Sequence, residues 1–537
     1  MIMKNYIFFF LFLLVVTGCN NNPKEVTQTL ERSTPEAEGV ASQGIIDFLD
    51  EIESDSIEVH SFMFLRHGKV IAEGWWEPYG PEYKHIMYSA SKSITSIGIG
   101  IAIDEGLLQV SDRVVSFFPE YMTDSISEKM KLLSVKDLLT MSVGQEIDPA
   151  YRFQFGKQDW ISGFLHTPPV HEPGTVMMYN NFATFILSAI LQKVTGQMLF
   201  NYLEPRLFDP LGIKNIDWDF NYMGINLGMI GLRLHTEDLA KLGQLLLQKG
   251  AWGNKQIVSA EYVEQAGMAQ ITTNNEGKEE DELNDGEKGY GYQFWRGSHN
   301  SYRMDGMGGQ LAIVMPDHDA VVIFTSNVPS SQIEMDLVWK HLVPAMKEGP
   351  LAVNPDLEKE LTQKLASLKR MPDVKTTIPP ELINSISGKR FTMSDNHMNI
   401  KGLTFTFNND TCSIKIEQGE SYAEPIAGIG NWQYSTSKGA SLSSLAASGS
   451  DYRKSSNQIN RDYQNMKHMA STIGMKDEKT MVLTARFIEE SLGAETWEFE
   501  FSQSGRLTEI KLNPGSGGGR GFGPPQQPVI ISGRIDN

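Results

Sequence analysis

The sequence predicts an α/β (α+β) sandwich, an antiparallel sheet flanked by helices and joined to an all-helical region, followed by a smaller mainly-β domain. Three observations carry that prediction. Strand-like text stands early, at "SFMFLRHGKVIAEGWW", and returns at "GGQLAIVMPDHDAVVIFTSN", while helical periodicity fills most of the interval from Ser111 to Ala269. A sheet assembled from the two ends of a domain around a helical insertion produces that order. Beyond about Leu382, short alternating runs such as "LTFTFNNDTCSIKIEQG" and "TWEFEFSQSGRLTEIKL" replace both patterns, and 537 residues are more than one hydrophobic core organises.

The first element is an address. "MIMKNYIFFFLFLLVVTGCNNN" has Lys4, an apolar stretch from about Tyr6 to Val16 and the box Val16-Thr17-Gly18-Cys19, too short to read as a spanning helix. It resembles a bacterial lipoprotein signal, which implies removal of residues 1–18, lipid on Cys19, a polar tether over 19–34 and export to a bacterial membrane, on the periplasmic side or at the cell surface. Cys412 is the other cysteine, so with Cys19 lipidated no intrachain disulfide is expected.

Residues 35–347 read as the main domain. "ASQGIIDFLDEIE" has helical spacing, and "SFMFLRHGKVIAEGWW" reads as two strands joined at His67-Gly68. Helices are predicted at "LSVKDLLTMS", "NNFATFILSAILQKVTG" and "TEDLAKLGQLLLQKG", each punctuated by Gly or Pro, and a closing helix lies around "SSQIEMDLVWKHLVPAM". Pro and charge mark 348–381 as a linker with a short helix, and 382–537 as the β domain, with a mobile loop at "STSKGASLSSLAASGS" and a mobile tail at "GSGGGRGFGPPQQP". The balance of 47 basic against 66 acidic side chains, formally −19, argues against nucleic acid as a ligand.

The chemistry-bearing text opens at "YSASKSITSIGIGIAI". Ser89 and Lys92 are three apart, which on a helix puts both on one face, and a serine at a helix start lies among unpaired N–H groups. Serine needs a base, and a lysine desolvated by the following Ile94, Ile97, Ile99 and Ile101 can serve as one. The same pattern recurs at Ser435 and Lys438, in a Ser/Gly/Ala-rich stretch with nothing to desolvate the amine. Tyr179-Asn180-Asn181 precedes another apolar helix and offers a phenol for proton transfer and an amide for orientation; Tyr463-Gln464-Asn465 shows how readily such a triplet arises. Gly308-Gly309-Gln310 opens an apolar strand whose edge backbone a ligand can approach, with an N–H for a developing oxyanion. No G-x-S-x-G and no H-E-x-x-H occurs, so neither an α/β-hydrolase nor zinc hydrolysis is indicated, and no metal or organic cofactor is expected.

Serine-x-x-lysine, tyrosine-x-asparagine and a glycine-containing edge strand, in that order, resemble the serine β-lactamase and penicillin-recognising superfamily. The phrases "YSASKSITS", "LLTMSVG", "HEPGTVMMYNN", "EPRLFDPLGI" and "GYGYQFW" are similar to its class C and esterase branch, including relatives that hydrolyse 6-aminohexanoate oligomers, over about residues 35–345. The resemblance implies Ser89 as acylated nucleophile, Lys92 as its partner, Tyr179 as general base, Asn181 as aligner of the substrate amide, and the N–H groups of Ser89 and Gln310, beside Gly309, as the oxyanion hole. One position departs. Where penicillin-directed members carry Lys or His, Met307 stands here, which favours esters, amides or substrates anchored otherwise over those with a free carboxylate, unless Arg303 compensates. The expectation is an exported serine hydrolase acting on a small-molecule or peptide substrate. The alternatives are a β-lactamase or D-amino-acid peptidase, and a surface-bound acyl sensor or cell-wall-binding protein that does not turn over.

Overall fold

The computed structural model describes residues 29–150, 159–273, 277–279, 282–396, 398–437, 442, 467–490, 493–502, 507–513 and 529–535. The export signal with Cys19, the Tyr463-Gln464-Asn465 triplet, Lys438 and the glycine-rich tail at 515–528 lie outside the described residues.

Seven strands build the first sheet: β1 (Glu31–Arg32), β2 (Val59–Arg66), β3 (Lys69–Trp75), β4 (Trp295–Arg296), β5 (Tyr302–Gly306), β6 (Gln310–Met315) and β7 (Ala320–Ser326), in the order β1-β3-β2-β7-β6-β5-β4. Its neighbours are antiparallel, except that the two-residue edge strand β1 runs parallel to β3. The β2–β3 connection is the expected one: His67 (φ 52°) and Gly68 (φ 76°) both take positive φ, as a tight two-residue hairpin turn requires.

Every residue of β2, β6 and β7 is buried, because the sheet is covered on both faces. Side chains on a strand alternate between faces, and the two cores divide along that alternation. Met63, Leu65, Ala312, Val314, Val321 and Ile323 join one core, shared with the helical region. Phe62, Phe64, Leu311, Ile313, Val322 and Phe324 join the other.

The second core is closed by α1 (Ser42–Ser54) and α5 (Gln332–Leu337), through residues such as Ile45, Leu49, Met335 and Leu337. It also receives Leu361 of α6 (Pro355–Ala366) and Leu368, so part of the stretch read as linker packs into the main domain. Between α1 and α5 in the chain come α2 (Ser91–Asp104), α3 (Asn181–Thr195) and α4 (Thr236–Leu247). Twelve residues of α2 and eleven of α3 are buried, so both are interior helices rather than amphipathic ones. Gly100 lets α2 approach its neighbour: a Cβ there would lie 2.5 Å from the Tyr262 ring.

A three-stranded ribbon, His85–Ile86, Leu232–Leu234 and Asp217–Trp218, leads directly into the segment that carries Ser89. The C-terminal domain is a separate, β-rich sheet. Strands Arg390–Met393, Ile400–Asn408, Thr411–Gln418, Ile426–Ile429, Lys467–Met475, Thr480–Phe487, Glu495–Phe501 and Leu507–Asn513 follow one another across it. Val529–Ile531 pairs with Leu507–Asn513 and Gly533–Ile535 pairs with Arg390–Met393, so one segment joins both ends and closes the sheet. Its core holds Phe391, Leu403, Phe405, Ile414, Leu483, Trp497 and Phe499.

The two domains meet over Tyr79, Trp432, Ala470 and Ile488. Two charged contacts flank that patch. Arg486 donates to Glu58 at 2.6 Å, and Arg233 of the ribbon, 2 % exposed, donates to both oxygens of Glu490 at 2.6 and 2.9 Å as well as to Asp217 and Asp219. Three carboxylates on one buried guanidinium keep it charged despite desolvation.

Candidate active site

The ribbon strand His85–Ile86 ends two residues short of Tyr88, which takes φ 43°. A bulky residue in left-handed backbone is strained by an energy of roughly 1–3 kcal/mol and persists only where the surroundings enforce it. Here Met87 N–H donates to the Leu232 carbonyl at 2.8 Å and Ala90 N–H to the Met87 carbonyl at 3.0 Å, fixing the turn from both sides. Ser89 occupies the single 3₁₀ turn Tyr88–Ala90 immediately before α2, half-buried, and Lys92 lies in the first turn of the helix.

The spacing read from the sequence does bring these two side chains together. Lys92 Nζ donates to Ser89 Oγ at 2.9 Å, to Asn181 Oδ1 at 2.9 Å and to the Met229 carbonyl at 3.0 Å. The side chain is 1 % exposed, and this burial pushes the ammonium down from its ordinary range to about 7, with the nearby charge of Asp148 opposing the shift. An amine at that value exchanges its proton at neutral pH.

Tyr179 and Asn181 arrive from the start of α3, whose N-cap is Asn180, its side-chain oxygen accepting from Ala183 N–H. Lys92 Nζ lies 4.8 Å from the centre of the Tyr179 ring. That ring stacks on Trp295 of β4 (centroids 6.1 Å apart, 15° between planes), and Trp295 meets Tyr290 edge-on. Asn181 is engaged on both sides: its oxygen faces Lys92, and its Nδ2 donates to Asp148 at 2.8 Å.

The third element forms the turn between β5 and β6. A Cβ on Gly309 would lie 2.2 Å from Glu334 Oε2, and Gln310 is fully buried with its side-chain Nε2 donating to the Met307 and Ser326 carbonyls. Gly306 packs against the nucleophile turn: a Cβ there would stand 2.2 Å from the Met87 carbonyl oxygen and 3.2 Å from Ala90 N. A tight turn joins Gly306 to Gln310, and the N–H of Met307, next along the chain, has no hydrogen-bond partner among the described residues. Arg303 neither faces water nor offers itself to a substrate: it is 3 % exposed, with Nε on Asp305 at 2.8 Å and Nη1 on the Asp285 and Arg296 carbonyls.

The sequence reading missed Asp148, Met229 and Gly306. Met229 acts through its carbonyl, which any residue carries. Gly306 sits in "DGMGG" among three glycines that the text alone does not rank, and Asp148 lies in a loop 33 residues from its partner Asn181.

A buried amine that titrates near neutrality beside a hydroxyl, with an aromatic phenol over it and a free backbone N–H nearby, is equipped for acyl transfer. Residues 48–341 match the family described as Beta-lactamase. The chain is similar to 6-aminohexanoate-dimer hydrolase of Paenarthrobacter ureafaciens, 24 % identical over 328 residues that cover 57 % of this chain and 83 % of that protein. It is also similar to a putative D-alanyl-D-alanine carboxypeptidase of Escherichia coli (strain K12), 23 % identical over 308 residues covering 44 % and 67 %. Among solved structures, a putative 6-aminohexanoate-dimer hydrolase from Bacillus anthracis aligns with TM-score 0.47 and 19 % identity, over 64 % of this chain and 90 % of that one.

Proposed function

The chain belongs to the Beta-lactamase family and is a serine hydrolase of it; from that premise we propose that it cleaves an ester or amide bond through an acyl-enzyme on Ser89. The observation that carries this reading is the Lys92–Ser89 contact, 2.9 Å between a buried amine held near 7 and the hydroxyl it must activate. When Lys92 sheds a proton, two N–H bonds remain for Asn181 Oδ1 and the Met229 carbonyl, and the lone pair is left for the hydroxyl. Ser89 Oγ then attacks the substrate carbonyl as its proton passes to Lys92 Nζ. Tyr179 gives its phenolic proton to the departing amine or alcohol and regains one from Lys92 Nζ, and water releases the acyl group by the reverse path. The oxyanion falls to the N–H of Ser89 and to a backbone N–H of the Gly306–Gln310 turn, which packs against Met87 and Ala90.

Amides and esters without a neighbouring carboxylate fit best, because Met307 supplies no cation and Arg303 is committed to Asp305. A short amide oligomer is the leading substrate class, supported by the 6-aminohexanoate dimer named for the Paenarthrobacter relative, ahead of the D-alanyl-D-alanine named for the Escherichia relative. Export and lipid attachment at Cys19 belong to the same proposal, with the enzyme working at a membrane surface. A fluorophosphonate probe is expected to label the wild type at Ser89 and not Ser89→Ala, and turnover of a p-nitrophenyl ester or a short amide oligomer is expected to fall at least about 10³-fold in that variant. Labelling without turnover of any ester, amide, cephalosporin or D-alanyl dipeptide would refute the hydrolytic reading.

A further inference from the structure

Asp148 stands in the loop that follows the helix Val135–Leu139, 2 % exposed, and among the described residues each group that hydrogen-bonds its carboxylate is an N–H donor. Oδ2 accepts from the backbone N–H and from Nδ2 of Asn181, both at 2.8 Å, while Oδ1 accepts from Ala150 N–H at 3.0 Å and Phe182 N–H at 3.4 Å. A side-chain amide has an oxygen on one branch and a nitrogen on the other, and nothing in Asn181 alone decides which faces Lys92. Asp148 decides it. With Nδ2 drawn to a carboxylate, Oδ1 must face the amine.

We propose that Asp148 is a positioning residue for the reaction: by holding the Asn181 amide in one orientation, it keeps Lys92 Nζ on the hydroxyl of Ser89. The proposal rests on the reading that Lys92 serves Ser89. An amide reversed at Asn181 would turn N–H bonds toward Lys92 and remove one of the acceptors that the amine needs while it carries a proton. The charge has a second effect. Asp148 opposes the desolvation of Lys92, and among the described residues the other titratable group facing that amine is Tyr179, from the segment before α3. Removing the negative charge leaves burial to act alone on the amine.

The test compares full-length variants by the pH dependence of fluorophosphonate labelling of Ser89. Asp148→Asn keeps the shape but offers a nitrogen where only acceptors fit. It is expected to lower the plateau labelling rate about 10-fold or more and to move the acid limb of the profile to lower pH. Asn180→Ala, which removes the N-cap of α3 without touching the Asn181 side chain, is expected to lower the melting temperature and leave the acid limb where it was. Wild-type plateau and midpoint in Asp148→Asn, or the same shifted limb in Asn180→Ala, would overturn the proposal, the second because helix capping would then explain everything. If Asp148→Asn does not fold, Asn181→Ala decides. It removes the amide and leaves the carboxylate, and wild-type labelling in that variant overturns the proposal. Loss of all labelling in Ser89→Ala together with wild-type behaviour of Asp148→Asn would sink this inference and spare the hydrolase reading.

Discussion

The interior of α2 and α3 and the interior of the C-terminal sheet are equally buried and built on opposite principles. Along α2, Ser91, Lys92, Ser93, Thr95 and Ser96 are all at most 1 % exposed. Their polar atoms are partnered: Ser93 donates to the Gln293 carbonyl at 2.6 Å, Thr95 to the Gly228 carbonyl at 2.9 Å, and Ser96 shares a hydrogen bond with the Tyr262 hydroxyl at 2.8 Å. Across in α3, Thr184 donates to Gln293 Oε1 and Ser188 to the Asn226 carbonyl. The C-terminal core is instead lined by Phe, Ile, Leu, Met and Trp, and its thiol, Cys412, is pushed up to about 12 by burial and stays uncharged. A buried polar group costs about 1–3 kcal/mol if its partner is lost, so the first region depends on geometry and the second on volume. The costly style is kept where a reaction needs an amine out of water.

The largest expected effect breaks that contrast at its centre. Lys92→Met is expected to abolish turnover, by at least about 10³-fold, while raising unfolding stability by about 1–3 kcal/mol, because it replaces a desolvated amine with an apolar side chain of similar length. The pH dependence supplies a signature. The folded amine sits near 7 and the unfolded one near its ordinary 10.5, so the unfolded chain binds more protons between those values. Wild-type stability therefore gains from this group as pH rises from 7 to 10.5, and the variant lacks that gain; denaturant melts at pH 7 and pH 9.5 measure it. Equal stability slopes in the two proteins would mean that Lys92 is not the perturbed amine described here.

The opposite result is expected in the other region. Phe405→Ala opens a cavity in the C-terminal core, with an expected loss of about 3–5 kcal/mol by urea melting, while the folded enzyme keeps its turnover at low temperature. Glu490→Gln, at the boundary, tests whether the two regions are coupled. Its expected cost is about 2 kcal/mol, less than the 3–5 typical of breaking a buried pair, because Asp217 and Asp219 still hold Arg233. Leu232, next to Arg233, accepts the N–H that fixes the nucleophile turn, so a fall in labelling rate of a few-fold should accompany that cost. Unaltered melting of Glu490→Gln would show that the interface is loose in solution.

What could be read from the sequence follows the same division. Ser89 with Lys92 and Tyr179 with Asn181 were legible because each pair sits within a single turn of chain at a helix start, where spacing alone fixes the geometry. The β2–β3 hairpin was legible from His67-Gly68 for the same reason. The third element was legible only as a glycine-rich turn: which of Gly306, Gly308 and Gly309 lies against Met87 and Ala90 depends on the β5–β6 register, which puts Gly306 opposite Gln310. Asp148 was illegible because its role exists only once a distant loop folds under α3. The short helix α6 was legible within the linker, but its docking on the main domain was not, because Pro and charge mask the face made by Leu357, Leu361 and Leu365.

The segment Val529–Ile535 has a consequence for solubility. By bonding to Leu507–Asn513 on one side and Arg390–Met393 on the other, it hides two strand edges that would otherwise present rows of unpaired N–H and carbonyl groups to other molecules. A proteolytic nick that freed this strip would leave Ser89 and its neighbours untouched while turning the C-terminal sheet into a template for chain-to-chain pairing, so the enzyme's resistance to aggregation is governed far from its chemistry.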